Sequence, residues 1–157
     1  MLIARSKYLE ALKLRMHNGM IKVITGIRRS GKSYLLFRIF KNYLLENVAD
    51  ESHIITVELD QRKNRQYREP DTVLEYIESL IVDKKQYYIL LDEVQMLNEF
   101  EEVLNSLLHI HNADVYVTGS NSKFLSKDII TEFRGRGDEV HVYPLSFKEF
   151  MEAYEGD

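Results

Sequence analysis

Gly26-Ile27-Arg28-Arg29-Ser30-Gly31-Lys32-Ser33 is the stretch that decides the reading of this chain. It has the form G-x-x-x-x-G-K-[ST], the spacing of a phosphate-binding loop. Its surroundings agree with that reading. Met20-Ile21-Lys22-Val23-Ile24-Thr25 before it reads as a strand, and Tyr34 to Leu45 after it reads as a helix with Leu35, Leu36, Ile39, Phe40 and Tyr43 on one side. The glycines allow backbone conformations that a side chain forbids, so consecutive N–H groups can turn inward. Such groups form a concave nest for phosphate oxygens, and the helix that follows adds unpaired donors and a positive dipole end. On this reading the segment from Gly26 to Tyr34 holds the phosphates. Lys32 bridges the β- and γ-phosphates, and the Ser33 hydroxyl is a ligand for Mg²⁺. Arg28 and Arg29 fill free positions of the motif and point to a partner, to a phosphate or, as the plainer alternative, to solvent.

Outward from the loop, strands alternate with helices. Ala4 to His17 carries Tyr8, Leu9, Leu12 and Met16 at helical spacing and ends at Asn18-Gly19. His53 to Leu59 reads as a second strand. Pro70-Asp71-Thr72 opens a helix with Val73, Leu74, Ile77, Leu80 and Ile81 on its apolar stripe. Gln86 to Leu91 is a nearly continuous apolar strand, the pattern of a parallel strand covered on both faces. Asn98-Glu99-Phe100-Glu101 has the form of a capping box for a helix through Leu104, Leu107 and Leu108. Asp114 to Thr118 and Glu139 to Tyr143 read as the fourth and fifth strands, with a short helix from 123 to 133 between them. Ser146-Phe147-Lys148-Glu149 suggests one more capped helix, with room for about two turns before Asp157. The alternation predicts an α/β fold, a three-layer αβα sandwich around a five-stranded, mainly parallel sheet.

Size and composition narrow the class. The 157 residues suit one domain, taken as residues 1–157 and expected to be truncated at the C-terminus. The net charge of −4 gives no global electrostatic case for nucleic acid. The chain has no cysteine, which excludes disulfides and thiolate metal sites. No apolar run approaches the ~18 residues of a membrane span. Arg5, Lys7 and Glu10 interrupt the N-terminal apolar residues, unlike a signal peptide. The expectation is a soluble cytoplasmic protein without a membrane partner.

A second motif completes the chemistry. Tyr87-Tyr88-Ile89-Leu90-Leu91-Asp92-Glu93 is an apolar strand that ends in two adjacent carboxylates, the form of a Walker B motif. Asp92 would hold Mg²⁺ and Glu93 would polarise the attacking water. A Glu with an ordinary pKa near 4.3 is a weak base at neutral pH. Phosphoryl transfer tolerates this, because it relies on positioning and electrostatic stabilisation. Between Lys32 and Asp92 lie a helix, a strand and another helix, so the acidic strand is not the next one along the chain. A guanine-reading N-K-x-D is absent, which favours ATP.

Five segments together resemble the AAA+-type P-loop ATPase core of a widespread prokaryotic family. They are Thr25 to Ser33, Leu91-Asp92-Glu93-Val94-Gln95, Val117-Thr118-Gly119-Ser120-Asn121-Ser122, Phe133-Arg134-Gly135-Arg136-Gly137 and Tyr143-Pro144-Leu145-Ser146-Phe147-Lys148-Glu149-Phe150. The resemblance spans nearly the whole chain. It implies an ATPase that uses ATP and Mg²⁺, usually continued by a winged-helix and a nuclease-like region that this sequence does not contain. It further implies that the fourth strand lies between the P-loop strand and the Walker B strand. A polar residue at its end then reaches the γ-phosphate: Ser120 or Asn121, with Thr118 as a third choice. Arg134 or Arg136 resembles an arginine that contacts the γ-phosphate, either in cis or from a neighbouring subunit of a homo-oligomer, with a surface-loop arginine as the equal alternative. Catalytic roles thus fall on Lys32, Glu93, Ser120, Asn121 and Arg136, and metal ligation on Ser33 and Asp92.

Other features have bland explanations. Gln61 to Arg68 carries four basic residues and no acid. It suits backbone phosphates, with Tyr67 for stacking, or a solvated loop, and leaves nucleic acid an open partner. Gln95 is placed to support the catalytic loop or simply to fill a turn. The rival functions are a nucleotide-gated switch that needs a partner or a C-terminal domain for turnover, and a small-molecule kinase, which lacks a lid rich in arginines.

Overall fold

The computed structural model describes residues 2–27, 30–120 and 137–143. Its elements follow the alternating pattern. Helix α1 (Leu2–Arg15) leads into β1 (Ile21–Thr25). After the loop comes a helical run made of α2 (Lys32–Tyr34), a π-helical stretch (Leu35–Phe40) and α3 (Lys41–Asn47). Next are β2 (Ile54–Glu58), a 3₁₀ helix (Arg62–Arg68), α4 (Pro70–Leu80) and β3 (Tyr87–Asp92). A 3₁₀ turn (Val94–Met96), α5 (Phe100–Leu108), β4 (Ala113–Gly119) and β5 (Gly137–His141) complete the described chain.

The five strands form one sheet in the order β2-β3-β4-β1-β5, and all four pairings are parallel. Parallel strands need crossovers, and the crossover helices cover both faces of the sheet. On one face α4 and α5 bury Val73, Ile77, Phe100, Val103, Leu104 and Leu107 against Ile55, Ile89 and Val117. On the other, α1 and the helical run after the loop bury Leu12, Leu35, Leu36 and Leu44 against Ile24, Leu90 and Tyr116. Side chains alternate along each strand, so neighbours such as Ile89 and Leu90 feed opposite cores. The interior strand β3 is buried at every position, which is why its sequence runs apolar without alternation.

Three local features differ from the sequence expectation. The helix after the loop does not stay α-helical: six residues adopt π geometry, a form found mostly as short insertions, often next to functional sites. The proposed capping box at the start of α5 does not form. Glu99 occupies the N-cap with φ 50° and ψ 46° and makes no side-chain cap. A capping side chain needs an extended N-cap backbone to reach the first turn. The basic run Arg62–Arg68 is a 3₁₀ helix rather than a loop. The expected helices from 123 to 133 and after Ser146 lie outside the described residues.

Buried polar groups gather at the foot of β1 and β4. Lys22 is fully buried in β1 and pairs with Asp114 of β4. Its ammonium lies 4.8 Å from the centre of the Tyr116 ring and donates to Asn18 Oδ1 at 3.3 Å. Asp114 also accepts from Tyr116 Oη at 2.5 Å and from the His17 backbone N–H at 3.0 Å. Burial lowers the Lys22 pKa, against the opposing pull of Asp114.

Candidate functional site

A parallel sheet has one carboxyl-terminal edge, and both motifs lie on it. The order β3-β4-β1 sets the strand that ends in Asp92 one strand away from the loop strand, with β4 between them. That is the strand order the resemblance implies. Ligands of open α/β sheets bind at this edge.

The loop is shaped by backbone geometry at two glycines. Gly26 has φ 153°, and a Cβ built on it would lie 2.5 Å from the Val142 carbonyl oxygen and 2.7 Å from Ser30 Oγ. The chain after β5 thus packs directly against the start of the loop, held by the Val142 N–H to Thr25 carbonyl bond at 2.8 Å. Gly31 caps the helical run in the left-handed region, φ 94° and ψ 13°. Lys32 is buried, and its Nζ donates to the Ile27 carbonyl at 3.1 Å. The same Nζ lies 3.9 Å from Glu93 Oε1. Ile27 and Tyr34 are exposed. Arg28 and Arg29 lie outside the described residues.

The acids are gathered around the same point. Ser33 Oγ donates to Asp92, 2.8 Å from Oδ1 and 2.9 Å from Oδ2. Thr118 Oγ1 donates to Asp92 Oδ1 at 2.5 Å and accepts the Glu93 backbone N–H at 2.8 Å. Glu93 has φ 54° and ψ 55°, a left-handed conformation that costs a non-glycine residue on the order of 1–3 kcal/mol and clusters at functional sites. Its Oε2 accepts from Ser120 Oγ at 2.7 Å and from Gln95 Nε2 at 2.5 Å. Burial pushes the Asp92 carboxyl above its ordinary value, with the Glu93 and Asp60 charges adding to it, while the Thr118 and Ser33 hydrogen bonds oppose the rise.

Lys32, Ser33, Asp92, Glu93 and Ser120 therefore converge. Thr118, the third choice from sequence, is the residue on Asp92, while Ser120 reaches Glu93. Asn121, Arg134 and Arg136 lie outside the described residues. Gln95 had only a weak sequence signal, its place two residues after the paired acids.

The donor set suits Mg²⁺. A hydroxyl and a carboxylate are hard oxygen ligands, and Asp92 is a buried acid whose charge a cation would stabilise. Among the described residues no group of three or more His, Cys, Asp or Glu could hold a metal ion.

Fold and loop together define a P-loop nucleoside triphosphatase core of AAA+ type. A family model described as an AAA domain matches residues 18–151, and the chain belongs to that family. It is 33% identical over 153 residues to an uncharacterized protein of Haemophilus influenzae, covering 97% of this chain and 38% of that one. It is 28% identical over 144 residues to an uncharacterized protein of Methanocaldococcus jannaschii, covering 89% and 30%. The chain thus spans about a third of the length of these relatives. Among solved structures it resembles C. elegans PCH-2, with TM-score 0.62 and 18% identity over 95% of this chain and 46% of that one. It also resembles a DNA polymerase III gamma subunit-related protein of Thermotoga maritima, with TM-score 0.63 and 12% identity over 94% and 49%. At these identities the likeness is one of fold. No helix among the described residues is long and apolar enough to cross a membrane.

Proposed function

We propose that this chain binds ATP with Mg²⁺ and hydrolyses it. The observation that carries the reading is the convergence of Lys32 and Ser33 with Asp92 and Glu93, about sixty positions apart, through a 2.8 Å hydrogen bond and a 3.9 Å ion pair. The backbone N–H groups of Gly26 to Ser33 would cradle the phosphates, and Lys32 would turn from the Ile27 carbonyl to the β- and γ-oxygens. Ser33 and Asp92 would hold Mg²⁺, which when bound neutralises charge on the phosphate oxygens. Glu93 would orient the attacking water and accept its proton, and Ser120 with Asn121 would sense the γ-phosphate. Arg136, supplied by a neighbouring copy in a homo-oligomer, would stabilise the transferring phosphoryl group. What turnover drives belongs to the longer protein, and a C-terminal domain or protein partner is part of this proposal.

The experiment is calorimetric titration with ATP and GTP in Mg²⁺, beside Lys32→Ala and Glu93→Gln. ATP-selective binding, lost at least about 100-fold in Lys32→Ala, is expected. Glu93→Gln should bind ATP but turn it over about 100-fold more slowly, as general-base loss does. Unchanged ATP binding in Lys32→Ala would sink the proposal. A second reading, a switch with slow intrinsic hydrolysis, is favoured by the Glu93 carboxylate, already engaged by Ser120, Gln95 and Lys32. It predicts tight binding with turnover only in the longer chain.

A further inference from the structure

We propose that Gln95 is a positioning residue for Glu93. It occupies one carboxylate oxygen and thereby directs the other towards Lys32 and the phosphates. The assignment rests on the ATPase reading above and adds a residue to it.

Three donors surround the Glu93 carboxylate, and they are not equivalent. Oε2 takes Gln95 Nε2 at 2.5 Å and Ser120 Oγ at 2.7 Å, while Oε1 faces Lys32 Nζ at 3.9 Å. Ser120 carries a freely rotating hydroxyl, and Lys32 a point charge on a flexible stem. Both donate equally well to a phosphate oxygen, so both are open to capture by a nucleotide. Gln95 differs. It sits on the 3₁₀ turn Val94–Met96, pinned by buried Val94 and by the Met96 N–H to Glu93 carbonyl bond at 3.0 Å. When a phosphate competes for Ser120 and Lys32, Gln95 is the partner that stays.

The orientation of the amide is fixed by chemistry. Turned over, it would set a carbonyl oxygen 2.5 Å from a carboxylate oxygen, two acceptors in repulsion. In the observed orientation Gln95 Oε1 is buried and has no hydrogen-bond partner among the described residues. The polar end of this half-buried side chain serves the bond its nitrogen makes to Glu93. Glu93 is left-handed at the strand exit, and Gln95, two residues on, anchors its carboxylate.

The test uses Gln95→Leu, which keeps the bulk and removes the donor. ATP affinity should stay within about twofold of the parent while turnover at saturation falls about tenfold. In a Glu93→Gln background Gln95→Leu should cause no further loss, because it acts through Glu93. A nucleotide-free readout comes from thermal unfolding of Gln95→Leu, Glu93→Ala and the double variant, whose Tm shifts should be non-additive. Turnover equal to the parent, an equal loss in the Glu93→Gln background, or additive Tm shifts would each overturn the assignment. A parent protein that binds no ATP, or turns it over no faster than Glu93→Gln, instead defeats the ATPase reading and takes this assignment with it.

Discussion

Ser33 Oγ lies 2.8 Å from Asp92 Oδ1 and 2.9 Å from Oδ2, joining the P-loop helix to the end of β3 through one hydroxyl. Thr118 satisfies the same carboxylate from β4 at 2.5 Å. Even so, burial holds the Asp92 carboxyl above its ordinary value of 3.8. The sign follows directly. An acid whose folded pKa exceeds its unfolded one makes the fold bind more protons, so stability falls as pH rises from 3.8 through the folded value. At neutral pH the ionised Asp92 is therefore a cost to the nucleotide-free protein. Asp92→Asn keeps an acceptor for Thr118 and removes the charge. It should raise the Tm by a few degrees, for on the order of 1 kcal/mol, while abolishing Mg²⁺-dependent ATP binding. A fall in Tm would contradict the account.

Gly26 should tolerate no side chain. Its φ of 153° disfavours an L-residue, and an added Cβ would meet the Val142 carbonyl oxygen at 2.5 Å. That atom is backbone at the end of an edge strand and cannot yield as a side-chain tip would. Gly26→Ala should push the chain after β5 away from the loop, lowering stability by about 2 kcal/mol and ATP affinity more than tenfold. Gly19 is the control: it too has positive φ, but its Cβ would meet nothing within 4 Å. Gly19→Ala should therefore show only the smaller cost of its φ and leave ATP affinity unchanged. Equal ATP affinity in both variants would refute the argument.

The Lys22–Asp114 pair predicts a defect in stability rather than in nucleotide chemistry. Both side chains are buried, at 0% and 5% exposure, at the foot of the sheet away from the loop. Lys22→Met takes the ammonium away from Asp114 and leaves it, among the described residues, Tyr116 and the His17 N–H as hydrogen-bond partners. Breaking a buried pair from one side costs about 3–5 kcal/mol. Denaturant unfolding should show a loss of that size, with ATP affinity per folded molecule unchanged. A loss below about 1 kcal/mol would mean that water reaches the pair.

How far the sequence predicts this molecule depends on which interactions are local. β3 was legible because Tyr87 to Leu91 is buried on both faces and must run apolar, and the loop because its chemistry fixes residue types at fixed spacing. Lys22 was not interpretable: a lysine in an apolar strand finds its reason only in Asp114, 92 positions later. The capping box at Asn98 failed because S/T/D/N-x-x-E/Q describes side chains that can cap, whereas the turn geometry set Glu99 left-handed. The roles of Thr118 and Ser120 depend on β4 lying between β3 and β1. Strand order was available only through resemblance, so sequence ranked these neighbours without separating the one on Asp92 from the one on Glu93.

His53 should make stability sensitive to pH on the side of the sheet next to β2. Its Nδ1 lies 2.6 Å from Asp50 Oδ1 and its Nε2 2.9 Å from Asp83 Oδ2, tying the turn before β2 to the turn before β3. The hydrogen bond to Asp50, then that to Asp83, raises the His53 pKa above 6.5. The same bonds lower both aspartates below 3.8. A base with a raised folded pKa contributes stability that is full below 6.5 and lost as pH rises through the folded value. The aspartates contribute stability that is full above 3.8 and lost as pH falls through their folded values. Between roughly pH 4 and 6.5 both halves of the bridge are charged. The Tm should therefore fall from pH 6 to pH 8.5 more steeply in the parent than in His53→Gln. Added salt should shrink the difference, because Asp50 and Asp83 are exposed. NMR titration of the His53 ring should place its midpoint above 6.5, and a midpoint at or below that value would show that the two aspartates do not hold it.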